Sequence, residues 1–503
     1  MKNPGSRKVS LINNSIFSVM SWFTPIVIGF VATPLIVRHL GNREYGLYAV
    51  ILGFISYSFS FGVGKILTKY IAEYRASGEN EKIGEVVSST FWLSIGLALA
   101  GSIVVAFGAR FIASEVLSLP PDQQRMGEIG LYLACAAIIA TILSQIFQYI
   151  LQGLHRFGSY VILTNISGVL LNIGNVALAV YGYGTVALLT WNFIALCIMG
   201  AAFAFDAVRH LPEFTLRPRF RSNAWPNVLR YAANIILYQV FANVLLAFER
   251  GWILRKFGAE AATFYVIPMT LAIYMHSIIG SSLIAVFPAF NELLADRAKL
   301  AELYRKATKL LIAAVCLFAT LLIAGGYPLL RAWINEDIAT RGYPILIIHV
   351  LTFSFSAVTI MVWQLAESYR APIFNTIAML IWTVVAIPLM VGLADNWNIE
   401  GVAIARLVGV AATVPFLLII EQRLLQTSLW KLRGWVGWRS LLSSLVTAAV
   451  MSLFFAFFNS GILIVGFGFA VGSGAFLLTL LATGFFTADE RQMFRELISR
   501  LRR

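Results

Sequence analysis

Few side chains in this sequence carry charge inside an apolar run, and those that do are mostly cationic. Arg250 follows Glu249 near the end of one run, Arg406 lies a turn into another, and Lys65 and Lys69 close a third. Guanidinium and ammonium groups held away from bulk water bind anions. Arginine offers a planar fork matched to phosphate or carboxylate oxygens, and lysine a point charge. A site rich in both and poor in carboxylates suits a phosphate or pyrophosphate. Each residue also has a plainer use. Glu249 and Arg250 could neutralise each other locally. Arg406 has no obvious partner nearby in sequence and could snorkel to an interface. Lys65 and Lys69 could be anchors on the cytoplasmic side of a bilayer.

Uncharged polar residues recur in the same runs at helical spacing. Gln145, Gln148 and Gln152 share a face, and Asn165, Asn172 and Asn175 fall close together, as do Tyr231, Asn234 and Tyr238. His349, Thr352, Ser356, Thr359, Trp363 and Glu367 form a longer stripe, three or four residues apart. Facing lipid, such stripes would be costly, so they point inward. One use is hydrogen bonding between helices. Stripes spread over both halves of the chain favour a second use, the lining of a wet cavity. Histidine as a residue type titrates near neutrality, so His276 and His349, with Glu249 and Glu367, are the candidates for ion or proton coupling; a satisfied buried imidazole is the ordinary alternative.

Enzymatic signatures are not found. Gly62-Val-Gly-Lys65 lacks the upstream glycine and the following Ser or Thr of a phosphate-cradling loop, and neither His-Glu-x-x-His nor Gly-x-Ser-x-Gly occurs. Cys135, Cys197 and Cys316 share no spacing, so neither a disulfide nor a metal site is implied. No enzyme, cofactor or metal is expected.

The elements that position these residues follow from composition. Of 503 residues 59% are hydrophobic and only 12% charged, with a mean hydropathy of +0.80. No soluble protein of this length could hide that much apolar surface. Runs of about twenty apolar residues mark an all-α polytopic membrane protein. Cutting at polar breaks predicts about fourteen transmembrane helices, at 11–37, 46–66, 86–110, 127–151, 159–181, 184–206, 228–250, 262–287, 307–331, 341–366, 373–393, 398–422, 438–458 and 461–485. Of the 38 Lys and Arg, 28 fall in the termini and the loops on one side, 9 in the loops of the other, and Arg406 lies within a helix. Positive charge favours the cytoplasm, so both termini are expected there. The same asymmetry accounts for the net charge of +14 without nucleic acid.

The chain also repeats itself. Val37 to Val50 reads VRHLGNREYGLYAV, and 217 residues later Leu254 to Ile267 reads LRKFGAEAATFYVI, placing Arg38 on Arg255, Gly41 on Gly258 and Tyr48 on Tyr265. Gly184-Thr-Val-Ala falls on Gly401-Val-Ala-Ile, and Leu151 to Phe157 resembles Leu365 to Ala371. A period this long is one unit duplicated and fused. Six helices return the chain to its starting side, so two six-helix lobes, 1–217 and 218–426, should be related by a parallel pseudo-two-fold axis along the membrane normal. A C-terminal helix pair with a basic tail, 427–503, completes the plan; Thr487-Ala-Asp-Glu490 has the spacing of a capping box for a tail helix. The junction, Arg209 to Arg230, is basic and proline-containing, suited to the headgroup region.

Several segments resemble Wzx-type polysaccharide flippases of the multidrug/oligosaccharidyl-lipid/polysaccharide exporter superfamily. LIVRHLGNREYGLYAV, GVGKILTKYIAEY and SGENEKIGEVVSSTF are similar to the start of that family. LLAFERGWILRKFGAEAATFY resembles its seventh-helix segment, usually written Asp-Arg where this chain has Glu249-Arg250. The resemblance runs over essentially the whole chain. It implies an alternating-access transporter of the bacterial inner membrane, with two lobes enclosing a central cationic cavity. The implied substrate is a polyprenyl-pyrophosphate-linked oligosaccharide moved from the cytoplasmic to the periplasmic leaflet. Lys65, Lys69, Arg250, Arg38 and Arg255 match family positions, and Arg406 joins them as a cavity candidate. Gln145, Gln148, Asn165, Asn172, Asn234, His349, Ser356 and Trp363 are the candidate polar lining. Expected partners are the lipid-linked oligosaccharide, the bilayer and other pathway proteins such as a polymerase, with the chain itself a monomer. The first helix lacks the buried charges of lipid II flippases, which counts against a peptidoglycan-precursor role.

Two other readings stay open. A drug/cation antiporter of the same superfamily needs an intramembrane carboxylate, and the first six expected helices hold none at mid-membrane, since Asp206 ends the sixth at the cytoplasm. A polymerase or glycosyltransferase needs placed acid, base or metal groups, and the outward loops are short.

Overall fold

Backbone N–H and C=O groups in lipid find no water, so an apolar run of this length must satisfy them within itself as a helix. The computed structural model describes residues 4–57, 63–211, 225–283, 286–458 and 461–486. Among these every regular element is helical: α1 (Pro4–Tyr57), α2 (Val63–Ser77), α3 (Asn80–Phe111) continuing into a π-helical turn (Ile112–Val116), α4 (Pro121–Gly153), α5 (Phe157–Val180), α6 (Thr185–His210), α7 (Trp225–Ser282), α8 (Val286–Leu293), α9 (Arg297–Trp333), α10 (Glu336–Ser368), α11 (Ile373–Leu425), α12 (Trp430–Phe457) and α13 (Ile462–Ala482). Among the described residues, 11 segments are long and apolar enough to cross a membrane. The protein is a multi-pass membrane protein of all-α fold. The expected tail helix from Thr487 and most of the 209–230 junction lie outside the described residues.

Three of the long helices are each two helices meeting at a break. α1 breaks at Gly41 (φ 77°, ψ 163°), α7 at Gly258 (φ 84°, ψ 176°), and α11 at Trp397 and Asn398, the latter with φ 47°. Gly41 and Gly258 stand 217 apart (258 − 41), the period of the sequence repeat, and they share a backbone conformation open only to glycine. Two further pairs of left-handed residues recur at nearly the same offset. His155 (φ 58°) after α4 is matched by Arg370 (φ 56°) after α10, and Gly182 (φ 80°) after α5 by Asn398. The repeat is therefore written in the places where the backbone turns.

The helices start where the sequence supplies a cap. Asp296 accepts a hydrogen bond from the Lys299 amide (3.1 Å) at the head of α9, and the Lys299 ammonium, bonded to its side chain, holds the Asp296 carboxyl below its ordinary value. Asn335 accepts from the Ile338 amide (2.9 Å) at the head of α10, with Glu336 and Asp337 in the first turn.

The chain forms two compact units, residues 1–266 with 372–409, and 267–371 with 410–503. In the first, α4 packs against α6, α3 and α2, and α1 against α5. Its core includes Leu67, Ile71, Val87, Ile142, Ile146 and Phe203. A polar knot ties three helices there: Asn175 of α5 and Asn192 of α6 each donate to the Tyr48 hydroxyl of α1 (3.1 Å), and Asn175 also donates to Asn192 Oδ1 (2.8 Å). In the second unit, α9 packs against α10 and α12, and α12 against α13. α12 is fastened to the end of α11 by a bidentate ion pair between Arg433 and the buried Glu421 (2.6 and 2.7 Å). Lys309 of α9 adds to this, lying over the rings of Phe485 (4.8 Å) and Trp435 (5.4 Å). Large apolar side chains such as Phe107, Leu463 and Leu478 stand exposed, as residues facing hydrocarbon do.

The two glycine breaks give a direct check. Gly41→Ala and Gly258→Ala each force a Cβ into a region that costs about 1–3 kcal/mol. Each is expected to lower the melting temperature in detergent, and an unchanged value at both positions would contradict the shared backbone.

Candidate functional site

Of the cations expected in a cavity, the structure buries two, Arg250 and Arg406, and pairs Arg406 with the carboxylate of Glu249. Glu249 and Arg250 lie on α7 a little over two turns before its Gly258 break, and Arg406 lies on α11 beyond the Asn398 break. All three are enclosed, at 0%, 6% and 7% exposure. Glu249 accepts hydrogen bonds from the Tyr265 hydroxyl and from Arg406 Nη1, the latter an ion pair. Arg250 donates from Nη1 to the Ala49 carbonyl (3.0 Å). Its guanidinium fills the space beside Gly53, where any Cβ would overlap it. Trp382 completes the wall: its Nε1 donates to the Arg406 carbonyl (3.2 Å) and its ring lies 5.5 Å from the Arg406 guanidinium carbon.

Neighbouring residues on a helix point about 100° apart, so Glu249 and Arg250 do not face each other. The local pair considered from sequence is replaced by a long-range one, Glu249 with Arg406. Arg406 is likewise buried and ion-paired instead of snorkelling. One carboxylate against two guanidinium groups leaves the cluster formally cationic. At low local dielectric such charges interact strongly, and their desolvation is repaid only with close partners.

The chain on either side of the cluster is drawn tight. Thr263 Oγ1 donates to the Asn42 carbonyl (2.5 Å), and a Cβ on Gly46 would overlap the Ala259 carbonyl. Glu44 caps α6, accepting from the Thr185 amide (3.0 Å). Farther out Lys256 pairs with Asp395, which is 72% exposed.

The remaining candidates are scattered. Arg38 and Arg255 are exposed. The side chains of Lys65, Lys69 and Asn234 lie outside the described residues. Gln145 is half-buried, Gln148 donates to Ser144 Oγ within α4 (3.1 Å), and Asn172 donates to the Gly168 carbonyl within α5 (2.9 Å). Asn165 keeps a buried Oδ1 with no hydrogen-bond partner. In the second unit His276 Nε2 and Ser356 Oγ lie 3.2 Å apart, His349 is buried, and Trp363 and Glu367 are half-buried. Thr352 and Thr359 of the same stripe bond to carbonyls of their own helix. Among the described residues, no group of three or more His, Cys, Asp or Glu could hold a metal ion. Sequence reasoning did not assign Tyr265, Trp382 or Asn192 to a site. For Tyr265 a signal existed: it falls on Tyr48 in the repeat, and both hydroxyls end in buried polar clusters.

A family model described as polysaccharide biosynthesis protein matches residues 11–294. The chain is 23% identical over 367 residues to a Shigella flexneri protein named as an O-antigen transporter, covering 70% of this chain and 84% of the relative. Among solved structures it is similar to the lipid II flippase MurJ in an inward closed conformation, with a TM-score of 0.73 at 17% identity over 96% of this chain and 99% of that one. It is also similar to an inward-facing MATE family multidrug resistance transporter of the MOP superfamily (TM-score 0.60, 13% identity, 82% and 95% covered). A Vibrio cholerae MATE transporter gives a TM-score of 0.60 at 14% identity, with 85% and 99% covered. At these identities the structural likeness is one of fold.

The ion pairs rank by burial. Glu249→Ala leaves Arg406 enclosed without its carboxylate and is expected to cost about 3–5 kcal/mol, whereas Asp395→Ala, at an exposed pair, costs under about 1 kcal/mol. Melting temperatures of the two purified variants compare them directly, and equal shifts would mean that Glu249 is not the sole anion of an enclosed pair.

Proposed function

Because this chain belongs to the polysaccharide biosynthesis protein family, we propose that it is a flippase for oligosaccharide repeat units linked to a polyprenyl pyrophosphate. It carries them from the cytoplasmic to the periplasmic leaflet of a bacterial inner membrane. The observation that carries this reading is the enclosed Glu249–Arg406 ion pair with a second buried guanidinium, Arg250, next to Glu249 along α7, inside helices otherwise apolar. The sugar and pyrophosphate of such a substrate cannot enter hydrocarbon unaided, while the prenyl chain can remain in it. The protein's task is to give the headgroup a polar, cationic path. Arginine forks supply bidentate contacts to phosphate oxygens, and a formally positive cluster favours an anion.

The name of the Shigella flexneri relative supports the cargo class, and the flippase and exporter folds support the transport mode. The remaining architecture is proposed with it: lobes at 1–217 and 218–426 about a parallel pseudo-two-fold axis, the added pair at 427–503, fourteen crossings and both termini in the cytoplasm. The breaks inside three of the long apolar segments support that count. Lys65, Lys69, Arg38 and Arg255 remain candidate headgroup contacts along the path, with a polymerase as a candidate partner.

The test is export in cells. A strain lacking this gene should accumulate untranslocated lipid-linked single repeat units, and Arg250→Ala should export far less than the native chain at equal membrane abundance. Full export by variants neutralised at Arg250, Arg406, Lys65 and Lys69 would end the cationic-path reading.

A further inference from the structure

The contact beside the charged cluster has an internal symmetry. Thr263 donates to the Asn42 carbonyl, and Gly46 is pressed on the Ala259 carbonyl. In the 217-residue repeat Asn42 falls on Ala259 (259 − 42) and Gly46 on Thr263 (263 − 46). Residue 42 therefore meets residue 263 while its repeat mate, 259, meets 46. That reciprocal pattern is what a two-fold axis imposes on an interface. The axis of the contact runs between positions 46 and 263, where a Cβ on Gly46 would stand 2.9 Å from Thr263 Oγ1. The two copies of the repeated joint, each just past its glycine break, are docked on one another.

We propose that this docked pair of joints is the seal at the non-cytoplasmic end of the transport path, and that the Glu249–Arg406 ion pair is its lock. The inference rests on the transporter reading above and deepens it. Only a residue as small as glycine at 46 lets the two backbones approach this closely, with the Thr263 hydroxyl bridging the joint. Directly behind it, Arg250 spans from α7 to the Ala49 carbonyl of α1, and Glu249 holds α11 through Arg406 and the segment past Gly258 through Tyr265. Separating the joints pulls on each of these bonds. The carboxylate thus stands in the closed seal as the anion of Arg406, and opening requires Arg406 to exchange it for another acceptor. A phosphate-bearing headgroup is the acceptor the transport reading supplies.

The test reads conformation, not cargo. In a chain with Cys135, Cys197 and Cys316 replaced by Ala, Asn243→Cys on α7 reports access to a membrane-impermeant maleimide added from outside, measured by peptide mapping. Adding Asn42→Cys and Thr263→Cys, which leaves Gly46 in place, should produce a disulfide under mild oxidant, because these two residues meet across the joint. That cross-link should abolish labelling at position 243, and reductant should restore it. Glu249→Gln should raise labelling by roughly tenfold, the factor that about 1.4 kcal/mol of lost closure corresponds to. The exchange Glu249→Arg with Arg406→Glu, which rebuilds the pair reversed, should bring labelling back down. Failure of the disulfide to form, or labelling indifferent to it, would overturn the seal. Labelling unmoved by Glu249→Gln would overturn the lock, and should that variant not fold, the cross-link decides alone. If the cross-link closes the path yet oligosaccharide export continues, the seal stands and the cargo reading falls.

Discussion

A carboxylate with no exposure at all, in a chain built from apolar helices, dictates much of what surrounds it. Burying a carboxylate is costly unless its oxygens are met, and those of Glu249 are met by two groups from elsewhere in the chain. Tyr265 lies 16 residues further along α7. In an unbroken helix that separation would be about 24 Å, at 1.5 Å per residue. The hydroxyl reaches back to the carboxylate only because Gly258 breaks the helix between them. Arg406 arrives from α11, 157 residues away. The glycine break and the buried charge are thus one device: the break returns the chain, and the charge makes the return worth keeping.

The two copies of the joint have been put to different uses. In the first, Tyr48 accepts from two asparagines and knits α1, α5 and α6 by neutral bonds alone. In the second, the matching Tyr265 donates to a carboxylate whose other partner is cationic. Neutral amide knots hold helices together without a preferred anion. An ion pair can change partners, because each member has strong affinity for other ions. The glycine break is present in both copies of the sequence repeat, and the ion pair sits beside one of them. In the second unit, α12 is held to α11 by Arg433–Glu421 and to α9 by Lys309 among aromatic rings, and both cations there are already committed.

Much of this was legible in the residue string. Long apolar runs imposed helices, and the polar turns VRHLGNREYG and LRKFGAEAAT marked the joints, since a glycine repeated at the same phase of two copies points to a backbone position closed to other residues. The charge asymmetry of the loops was equally plain. The site was less legible. Arg406 looked partnerless because its partner is distant in sequence, and periodicity reports only on neighbours along one helix. The polar stripe at His349 to Glu367 mixed two cases that spacing cannot separate: Ser356 does meet His276 of another helix, while Thr352 and Thr359 spend their hydroxyls on their own helix. The Gln148 and Asn172 amides also bond within their own helices. Spacing shows which residues share a face and says nothing of what lies opposite.

The energetics of the cluster set a condition on any motion that opens it. Parting a buried ion pair costs about 3–5 kcal/mol when nothing replaces the lost partner. At 1.36 kcal/mol per tenfold, that holds an unaided open state two to four orders of magnitude below the closed one. Such a barrier suits a membrane protein that must not leak ions while idle. It would also stop transport altogether unless something offsets it at the moment of opening. On the flippase reading proposed above, a neutral cargo would not offset it, since it offers Arg406 no charge to replace Glu249, and a cation would compete for the wrong partner. On the same reading an anionic headgroup would supply Arg406 with a new acceptor as the old one separates. The sign of the cargo in that proposal therefore follows from which member of the pair must be left with a partner.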